Sequence, residues 1–279
     1  MKTVTTRIPA STANLGPGFD CLGVALSVWN RVTVSLADAP PEHPGIITGA
    51  ASAFFSLSGK MPVPFSWRIE GDVPRSRGMG SSVTVRLGLL HGLNELTRAG
   101  LDRTQLFELC ADLEGHPDNA APAEFGGFTV SRTGAETVRC EVAPVLKFIL
   151  AIPDFEVATP DARRVLPEMI PRAAAVMSAS NACRITSAFL QQRYQLLRGC
   201  FRDGLHQPYR EHLIPFLGSA IAAAEGAGAL GCFLSGSGST VCAVTLERDS
   251  EVAAAMLAVC PPGTRVIITT ADNSGATPV

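Results

Sequence analysis

A glycine-rich turn that leads into a helix is the segment of this sequence best suited to chemistry on a phosphate. Gly78 and Gly80 can adopt backbone angles that other residues avoid, and Ser81 and Ser82 favour a helix start. The apolar periodicity of residues 83–96 predicts the helix itself. Backbone N–H groups at a helix N-terminus and the positive end of the helix dipole both favour an anion. Taken alone, such a turn is more often an ordinary capped loop.

The better-known glycine-rich nucleotide loops have a different pattern. A Walker loop needs a lysine beside its glycines to contact the transferred phosphates. The lysines of this chain are Lys2, Lys60 and Lys147, and none lies beside a glycine loop of that shape. The dinucleotide pattern would need a third glycine where Val83 stands. The sequence therefore excludes a P-loop NTPase and a Rossmann dinucleotide site at this turn.

A second group of polar residues follows the next predicted helix, which runs from Leu101 to Leu113. That helix carries Glu108, and residues 114–128 then contain acidic residues and a His-Pro-Asp-Asn turn in an otherwise apolar chain. A carboxylate one helix away from a phosphate loop suits Mg²⁺, because this ion takes one or two protein oxygens and draws the rest from phosphate and water. For Glu108 alone, a solvated helix face is the alternative.

The N-terminal segment places two further polar residues on a loop between strands. Alternation predicts strands over residues 3–8 and 24–35, and the small and turn-forming residues 9–20 interrupt the pattern. Asn14 and Asp20 lie in this loop, where their side chains could serve a site or bond their own backbone. Elsewhere the sequence predicts a helix over 46–57, strands over 66–70, 241–245 and 265–270, and a frayed tail over 273–279.

The bulk composition is that of a globular protein that works on small molecules. Of its 279 residues, 46% are apolar and 17% are charged. The net charge of −2 offers no basic surface for nucleic acid or an anionic membrane, so the expected partners are small molecules or copies of the chain itself. The eight cysteines form no C-x-x-C pair, which favours free thiols in a reducing compartment. Without a signal-peptide core or an apolar run of membrane length, we expect a cytoplasmic location.

Several motifs of the sequence resemble those of the GHMP kinases, the superfamily of galactokinase, homoserine kinase, mevalonate kinase and phosphomevalonate kinase. Three segments carry this resemblance: residues 9–20, 74–82 and 228–240. Within the superfamily the sequence is most similar to the homoserine kinases. The segments that indicate this branch are residues 18–23, 114–122, 159–167 and 205–215. The matches follow one another in the right order and span nearly the whole chain.

The resemblance implies an α+β fold with two domains and an active site between them. The N-terminal domain, expected over residues 1–153, would be of the ribosomal-S5-like type with a left-handed crossover. The C-terminal domain, expected over residues 154–279, would be ferredoxin-like. Kinases of this branch commonly pair, so a homodimer is expected as well. Local sequence patterns do not predict the crossover, since right-handed connections are the general rule.

The resemblance also implies an activity. The chain would use ATP and Mg²⁺ to phosphorylate the hydroxyl of L-homoserine, forming O-phospho-L-homoserine in threonine biosynthesis. One alternative is a GHMP kinase that acts on another small alcohol bearing a carboxylate. The other is a non-catalytic regulator that binds nucleotide on the same fold. Retention of Asn14, Ser82 and Glu108 argues against the regulator.

Individual residues acquire roles through the resemblance. Ser82 and Glu108 should bind Mg²⁺. The loop expected at the ATP phosphates consists of Pro74, Arg75, Ser76, Arg77, Gly78, Met79, Gly80, Ser81 and Ser82. The residues expected to hold homoserine are Asp20, His116, Asp118, Asn119, Arg163 and Arg210. Those expected nearest the reacting groups are Asn14, Thr159 and Arg163.

The chemistry of these side chains fits an amino-acid substrate. An arginine matches a carboxylate because its planar fork can donate two parallel hydrogen bonds, and the aspartates can pair with an ammonium group. Phosphoryl transfer to an alcohol depends mainly on positioning and on cations, so the resemblance requires no strong base. His116 and His206 are therefore expected to orient other groups.

Some positions depart from the family pattern. Residues 83–86 read Val-Thr-Val-Arg in place of a small alanine-rich run, so the first turn of this helix is bulkier and carries a charge. Gly45 stands near the position of a family asparagine that opens the helix bordering the nucleotide base, so the sequence does not predict base selectivity. The glycines of residues 226–240 most simply permit close backbone packing beside the phosphate loop.

Overall fold

The structure is a computed structural model that describes residues 2–39 and 42–279. It contains two antiparallel sheets with helices packed around them. The strands are β1 (Thr3–Ala13), β2 (Leu22–Leu36), β3 (Phe65–Gly71), β4 (Phe128–Val130), β5 (Val138–Cys140), β6 (Lys147–Ile152), β7 (Gly231–Leu234), β8 (Val241–Thr245), β9 (Arg265–Thr269) and β10 (Thr277–Pro278). The helices are α1 (Gly45–Ser58), α2 (Ser81–Thr97), α3 (Arg103–Glu114), α4 (Ala120–Phe125), α5 (Thr159–Arg164), α6 (Arg172–Leu190), α7 (Gln207–Arg210), α8 (Leu217–Gly226) and α9 (Asp249–Val259).

The first sheet forms the N-terminal domain and has six strands. Its order is β10-β1-β2-β4-β5, and β3 also pairs with β2. The predicted first strand is too short, because β1 continues past Ile8 to Ala13 after a register shift between Pro9 and Ala10. This irregularity lets the small residues that looked like a loop keep pairing with β2. The predicted helices α1, α2 and α3 are confirmed within one or two residues.

The second sheet has four strands in the order β7-β8-β6-β9, all antiparallel. With α8 and α9 as its main helices, this order is that of a ferredoxin-like domain, as expected. Because β6 pairs with β8 and β9, it belongs to this second sheet although it precedes the division expected after residue 153. The second sheet therefore begins one strand before residue 154, the position at which the C-terminal domain is predicted to begin.

One apolar core joins the two sheets. It contains Leu26 and Phe128 from the first sheet, Phe148 and Phe233 from the second, and Phe189 from α6. The rings of Phe128 and Phe189 stack with their centroids 4.2 Å apart. Since burial of apolar surface is the main stabilising contribution in folding, this shared core fixes the domains against each other. The cleft described below lies on this fixed frame.

The C-terminal segment returns to the first sheet. There β10 pairs with β1, and Asp272 accepts hydrogen bonds from the backbone N–H groups of Ser274 and Gly275 at 2.7 and 2.8 Å. The indole of Trp29 donates to the other oxygen of Asp272 at 2.7 Å. The prediction of a frayed tail over 273–279 is thus wrong, because a long-range side-chain anchor holds the segment. Among the described residues, no helix is both long and apolar enough to cross a membrane.

Candidate active site between the domains

A cleft between the two domains brings together residues from widely separated parts of the chain. Of the residues predicted from the sequence, those that line it are Asn14, Asp20, Ser76, Gly78, Gly80, Ser81, Ser82, His116, Asp118, Asn119, Thr159, Arg163 and Arg210. Glu114 lines the cleft as well, although it was not among the predicted site residues. The predicted substrate residues and most of the phosphate loop therefore share one site.

The phosphate loop connects β3 to α2, and it ends in an uncapped helix N-terminus. Gly80 is the N-cap residue with φ 67°, and no side chain of the described residues caps the first turn. The first residues of α2 line the cleft. Their N–H groups lack partners within the helix, so they can bind an anion from the cleft. Gly78 must be glycine here, since a Cβ would lie 2.1 Å from the carbonyl oxygen of Ser235.

The loop between β7 and β8 supports this phosphate loop from the second domain. Ser235 Oγ donates to the carbonyl of Gly78 at 2.7 Å and is 2.8 Å from Thr12 Oγ1. The backbone N–H of Thr240 donates to the carbonyl of Arg77 at 3.1 Å. The third motif thus holds the phosphate loop in place through polar contacts, in keeping with the structural role expected for its glycines.

Some residues of the loop point away from the cleft. The Arg77 guanidinium donates to the carbonyl of Pro153 at 3.0 Å and lies 3.3 Å from Glu156, so it ties the loop to the segment after β6. Met79 is fully buried in the apolar core. Arg75 lines a neighbouring depression, and Pro74 lines neither space. These side chains therefore lie outside the cleft, and the binding of the ATP phosphates by the loop of residues 74–82 stays a prediction.

The acidic residue beside Ser82 is Glu114 and not Glu108. Ser82 Oγ donates to Glu114 Oε2 at 2.9 Å. Glu108 is exposed on another side of α3, where it lines a separate depression with Phe125. The pairing of Ser82 with Glu108 predicted from the sequence is therefore wrong. Glu114 could have been found from its position in the His-Pro-Asp-Asn segment, at the end of the same helix.

Asn14 and Asp20 shape the turn at one end of the cleft. Asn14 Oδ1 accepts a hydrogen bond from the backbone N–H of Asp20 at 3.0 Å, and its Nδ2 donates to the carbonyl of Gly236 at 2.9 Å. Both residues have positive φ, at 70° and 57°. Arg163 donates to both carboxylate oxygens of Asp20, at 3.0 and 2.7 Å. The turn thus presents a bidentate charge pair to the cleft.

A second pair of side chains, His116 and Asp118, lies next to the first. His116 Nδ1 is 2.6 Å from Asp118 Oδ1, which also accepts the backbone N–H of Asn119 at 2.9 Å. Burial lowers the pKa of His116, but the hydrogen bond and the charge of Asp118 raise it more, so the net pKa is above its usual value. Asn119 in turn accepts from Ser11 Oγ at 2.9 Å.

Arg210 is a buried guanidinium held by the backbone. It donates to the carbonyls of Ala162 and Gly236 at 3.0 and 3.1 Å, and its Nη1 lies 3.1 Å from His206 Nδ1. Burial, followed by the charge of Arg163, lowers the pKa of Arg210 to about 10, so it remains charged at neutral pH. These bonds use Nε and Nη1, and the described part of the chain supplies no acceptor for a hydrogen bond from Nη2.

His206 orients Arg210, as expected for a supporting histidine. Its Nε2 is 2.8 Å from the carbonyl of Gly16, so this nitrogen donates and Nδ1 accepts from Arg210. Burial is the main reason that the pKa of His206 is lowered, to about 4. The imidazole is therefore neutral at physiological pH, and both of its ring nitrogens are hydrogen-bonded within the protein.

Acidification is expected to destabilise the folded protein through His206. Its pKa is about 4 in the folded chain against the ordinary value of 6.5, so the unfolded chain binds the proton more tightly. The free energy of unfolding is therefore unaffected by the protonation of His206 above pH 6.5. It decreases as the pH falls towards the folded-state pKa of about 4, by about 3 kcal/mol in total. Chemical denaturation at neutral and mildly acidic pH measures this loss. His206→Gln should lack that part of the pH dependence, and an equal loss in both proteins would contradict the assignment.

An apolar depression adjoins the phosphate loop. It shares Ser76, Ser81 and Ser82 with the cleft and is otherwise lined mainly by Pro44, Ile46, Val73, Trp67, Ile69 and Val85. Gly45 opens α1 between two of these residues. Within the cleft itself, Thr159 Oγ1 lies 3.3 Å from Ser237 Oγ. An aromatic and aliphatic space beside a phosphate loop is suited to a flat, apolar ring such as a nucleobase.

Comparison with known proteins points to one family. Residues 45–127 match the model of the GHMP kinases N terminal domain, and residues 185–262 match the model of the GHMP kinases C terminal domain. The chain is 36% identical to a homoserine kinase of Aquifex aeolicus, with 91% of this chain and 90% of that protein covered. It is 38% identical to a homoserine kinase of Moorella thermoacetica, with 90% of each covered.

Solved structures agree with this finding. The crystal structure of a homoserine kinase from Cytophaga hutchinsonii superposes with a TM-score of 0.90 at 25% identity, covering 100% of this chain and 98% of that one. A mevalonate kinase superposes with a TM-score of 0.71 at 12% identity over 97% of this chain and 99% of that one, which is a similarity of fold alone. Both the resemblance inferred from the motifs and the expected fold class are confirmed.

Proposed function

The chain belongs to the GHMP kinase family, and we propose that it transfers the γ-phosphoryl group of ATP to the hydroxyl of L-homoserine. The product would be O-phospho-L-homoserine, an intermediate of threonine biosynthesis. The single observation that carries this proposal is that an uncapped helix N-terminus and a set of opposed charges share one cleft. The first suits the phosphates of a nucleotide, and the second suits a zwitterionic amino acid.

The residues at the start of α2 would hold the nucleotide phosphates and a divalent cation. The backbone N–H groups of Ser81, Ser82 and Val83 supply donors without any lysine. The Ser82 hydroxyl and the Glu114 carboxylate are hard oxygen donors of the kind that Mg²⁺ prefers, so this pair fits the ion. Bound there, Mg²⁺ would neutralise charge on the phosphates. The apolar depression beside the loop would take the base.

The charged residues at the other end of the cleft would bind the amino acid. Asp20 and Arg163 are paired with each other. The Asp20 carboxylate would face the ammonium group of the amino acid, and the Arg163 guanidinium would face its carboxylate. Arg210 keeps Nη2 for a carboxylate, since its other bonds fix the guanidinium in place. Asp118 is the second carboxylate in reach of an ammonium group, and its hydrogen bond with His116 holds it in position.

Catalysis in this arrangement would depend on positioning. Phosphoryl transfer passes through a loose transition state, so alignment and positive charge contribute more than removal of the hydroxyl proton. We retain Asn14, Thr159 and Arg163 as the residues nearest the transferred group. Asn14 would act mainly by holding the turn that carries Asp20, because its amide already bonds the backbone on both sides. A homodimer and a cytoplasmic location stay predictions from the sequence.

Release of ADP by the purified protein tests the function. With Mg²⁺ and ATP, turnover is expected with L-homoserine and not with mevalonate, shikimate, L-serine or L-threonine. Turnover with a different alcohol only would refute the substrate and keep the kinase. ATP binding without turnover across the whole panel would favour a regulator on the same fold.

A further inference from the structure

Arg86 forms an ion pair with the carboxylate proposed to bind the metal. On α2, Ser82 and Arg86 are four residues apart, so their side chains lie on the same face of the helix. Ser82 Oγ donates to Glu114 Oε2 at 2.9 Å, and Arg86 Nη1 contacts Glu114 Oε1. Both oxygens of Glu114 therefore have a partner within the protein. The Arg86 and Glu114 side chains are only 19% and 10% exposed, so water screens the pair weakly.

The surroundings of Arg86 do not otherwise favour an arginine. Its Nε is buried and has no hydrogen-bond partner in the described part of the chain. A buried donor without a partner costs free energy, and such groups are rare in folded proteins. Its contact with Glu114 is the interaction that makes use of the positive charge. This charge lies in the helical turn where the sequence departs from the small residues of the family pattern.

We propose that Arg86 is an internal counter-ion that competes with the divalent cation for Glu114. This inference rests on the metal role proposed above for Glu114. With its charge already neutralised, the carboxylate attracts a second cation weakly, and the guanidinium repels a divalent ion placed beside it. Nucleotide phosphates bring several negative charges to the same place and reverse this balance. The free enzyme therefore binds the cation poorly, and the cation enters with the nucleotide.

Arg86 acts here through Glu114 and is a positioning residue. A different role, in which the arginine only orients a ligand carboxylate, would strengthen metal binding. The two roles predict changes of opposite sign when the charge of Arg86 is removed. Metal affinity in the absence of nucleotide distinguishes them without reference to turnover.

Mn²⁺ binding to the full chain, measured by electron paramagnetic resonance without nucleotide, tests the proposal. Arg86→Met should bind Mn²⁺ about tenfold or more tightly than the wild type. Arg86→Lys, which keeps the charge, should stay close to the wild type. Arg248→Met is the matched control, since it removes an exposed arginine paired with Glu251 on another helix. Thermal unfolding checks each variant, and Arg86→Gln serves if the methionine variant fails to fold.

Adding Glu114→Gln to Arg86→Met tests the counter-ion role of Arg86 and the metal role of Glu114 separately. The tighter Mn²⁺ binding of Arg86→Met should disappear in the double variant. If neutral variants at Arg86 bind Mn²⁺ no better than the wild type, or more weakly, the counter-ion role is refuted. If the tighter binding persists in the double variant, Glu114 is not the ligand, and the metal site of the proposed function fails instead. Mn²⁺ bound at the neighbouring cluster of Asp20, His116 and Asp118 would be insensitive to Glu114→Gln.

Discussion

Glu114→Gln is expected to reduce kcat by about a hundredfold or more, whereas Glu108→Gln should retain wild-type activity. Glu114 lies against Ser82 at the start of α2, and its substitution removes the negative charge that would hold the divalent cation on the phosphates. Loss of a comparable electrostatic contribution in other active sites costs two to three orders of magnitude, or about 3–4 kcal/mol. Glu108 is exposed on another side of the same helix, so its neutralisation changes nothing in the cleft.

Steady-state kinetics over a range of Mg²⁺ concentrations is the measurement. The two variants are well matched, because the same substitution is made twice on α3. Excess Mg²⁺ should restore part of the activity of Glu114→Gln if the loss arises from metal affinity. A large loss in Glu108→Gln together with a small one in Glu114→Gln would contradict the assignment read from the structure.

The sequence indicated Glu108 as the carboxylate beside Ser82, whereas the structure has Glu114 at this position. The difference shows a limit of prediction from sequence. The sequence placed a carboxylate on the helix after the phosphate loop, and it predicted the extent of that helix within one or two residues. Six residues separate the two glutamates, which at 3.6 residues per turn places them on different faces. Which face meets Ser82 depends on how α3 packs against α2. That packing is a tertiary property, so propensity and periodicity do not contain it.

The expectations for Arg77 and for the C-terminal segment differ from the structure for a related reason. A charged residue in a phosphate loop suggests a phosphate contact, but the Arg77 guanidinium finds its acceptor on Pro153, far away in sequence. The last residues look like a frayed end, yet Trp29 and Asp272 anchor them across more than two hundred residues of chain. Long-range polar contacts of this kind leave no local signal in the sequence.

The grouping of the charged residues in one cleft was predicted better, because motifs and not local patterns identified these residues. Asp20, His116, Asp118, Arg163 and Arg210 come from four separate segments, and the structure brings all of them to one cleft. The resemblance to the family supplied their expected roles, and carboxylates and guanidinium groups are side chains that suit a zwitterionic ligand. The mutual pairing of Asp20 and Arg163 is the feature that only the structure supplies.

Arg163→Met is expected to lower kcat/KM for L-homoserine by about a hundredfold or more, with the larger change in KM. The Arg163 guanidinium is 36% exposed, lines the cleft and donates to both oxygens of Asp20. Its loss would remove a charge-assisted contact to the substrate carboxylate and leave Asp20 without its partner, which together cost several kcal/mol. Arg164→Met is the matched control, because Arg164 is the next residue of α5, is 76% exposed and pairs with Asp161 outside the cleft.

A substrate without a carboxylate shows whether Arg163 binds the substrate carboxylate or acts on the γ-phosphoryl group. 3-Aminopropan-1-ol keeps the hydroxyl and the ammonium group of homoserine but carries no carboxylate. If Arg163 binds the carboxylate, the weak turnover of this analogue should change little in Arg163→Met, because the missing contact is absent already. If Arg163 acts on the γ-phosphoryl group, both substrates should lose the same factor in kcat. Equal losses would therefore reassign Arg163 to the phosphoryl group and leave Arg210, with its free Nη2, as the residue that recognises the carboxylate.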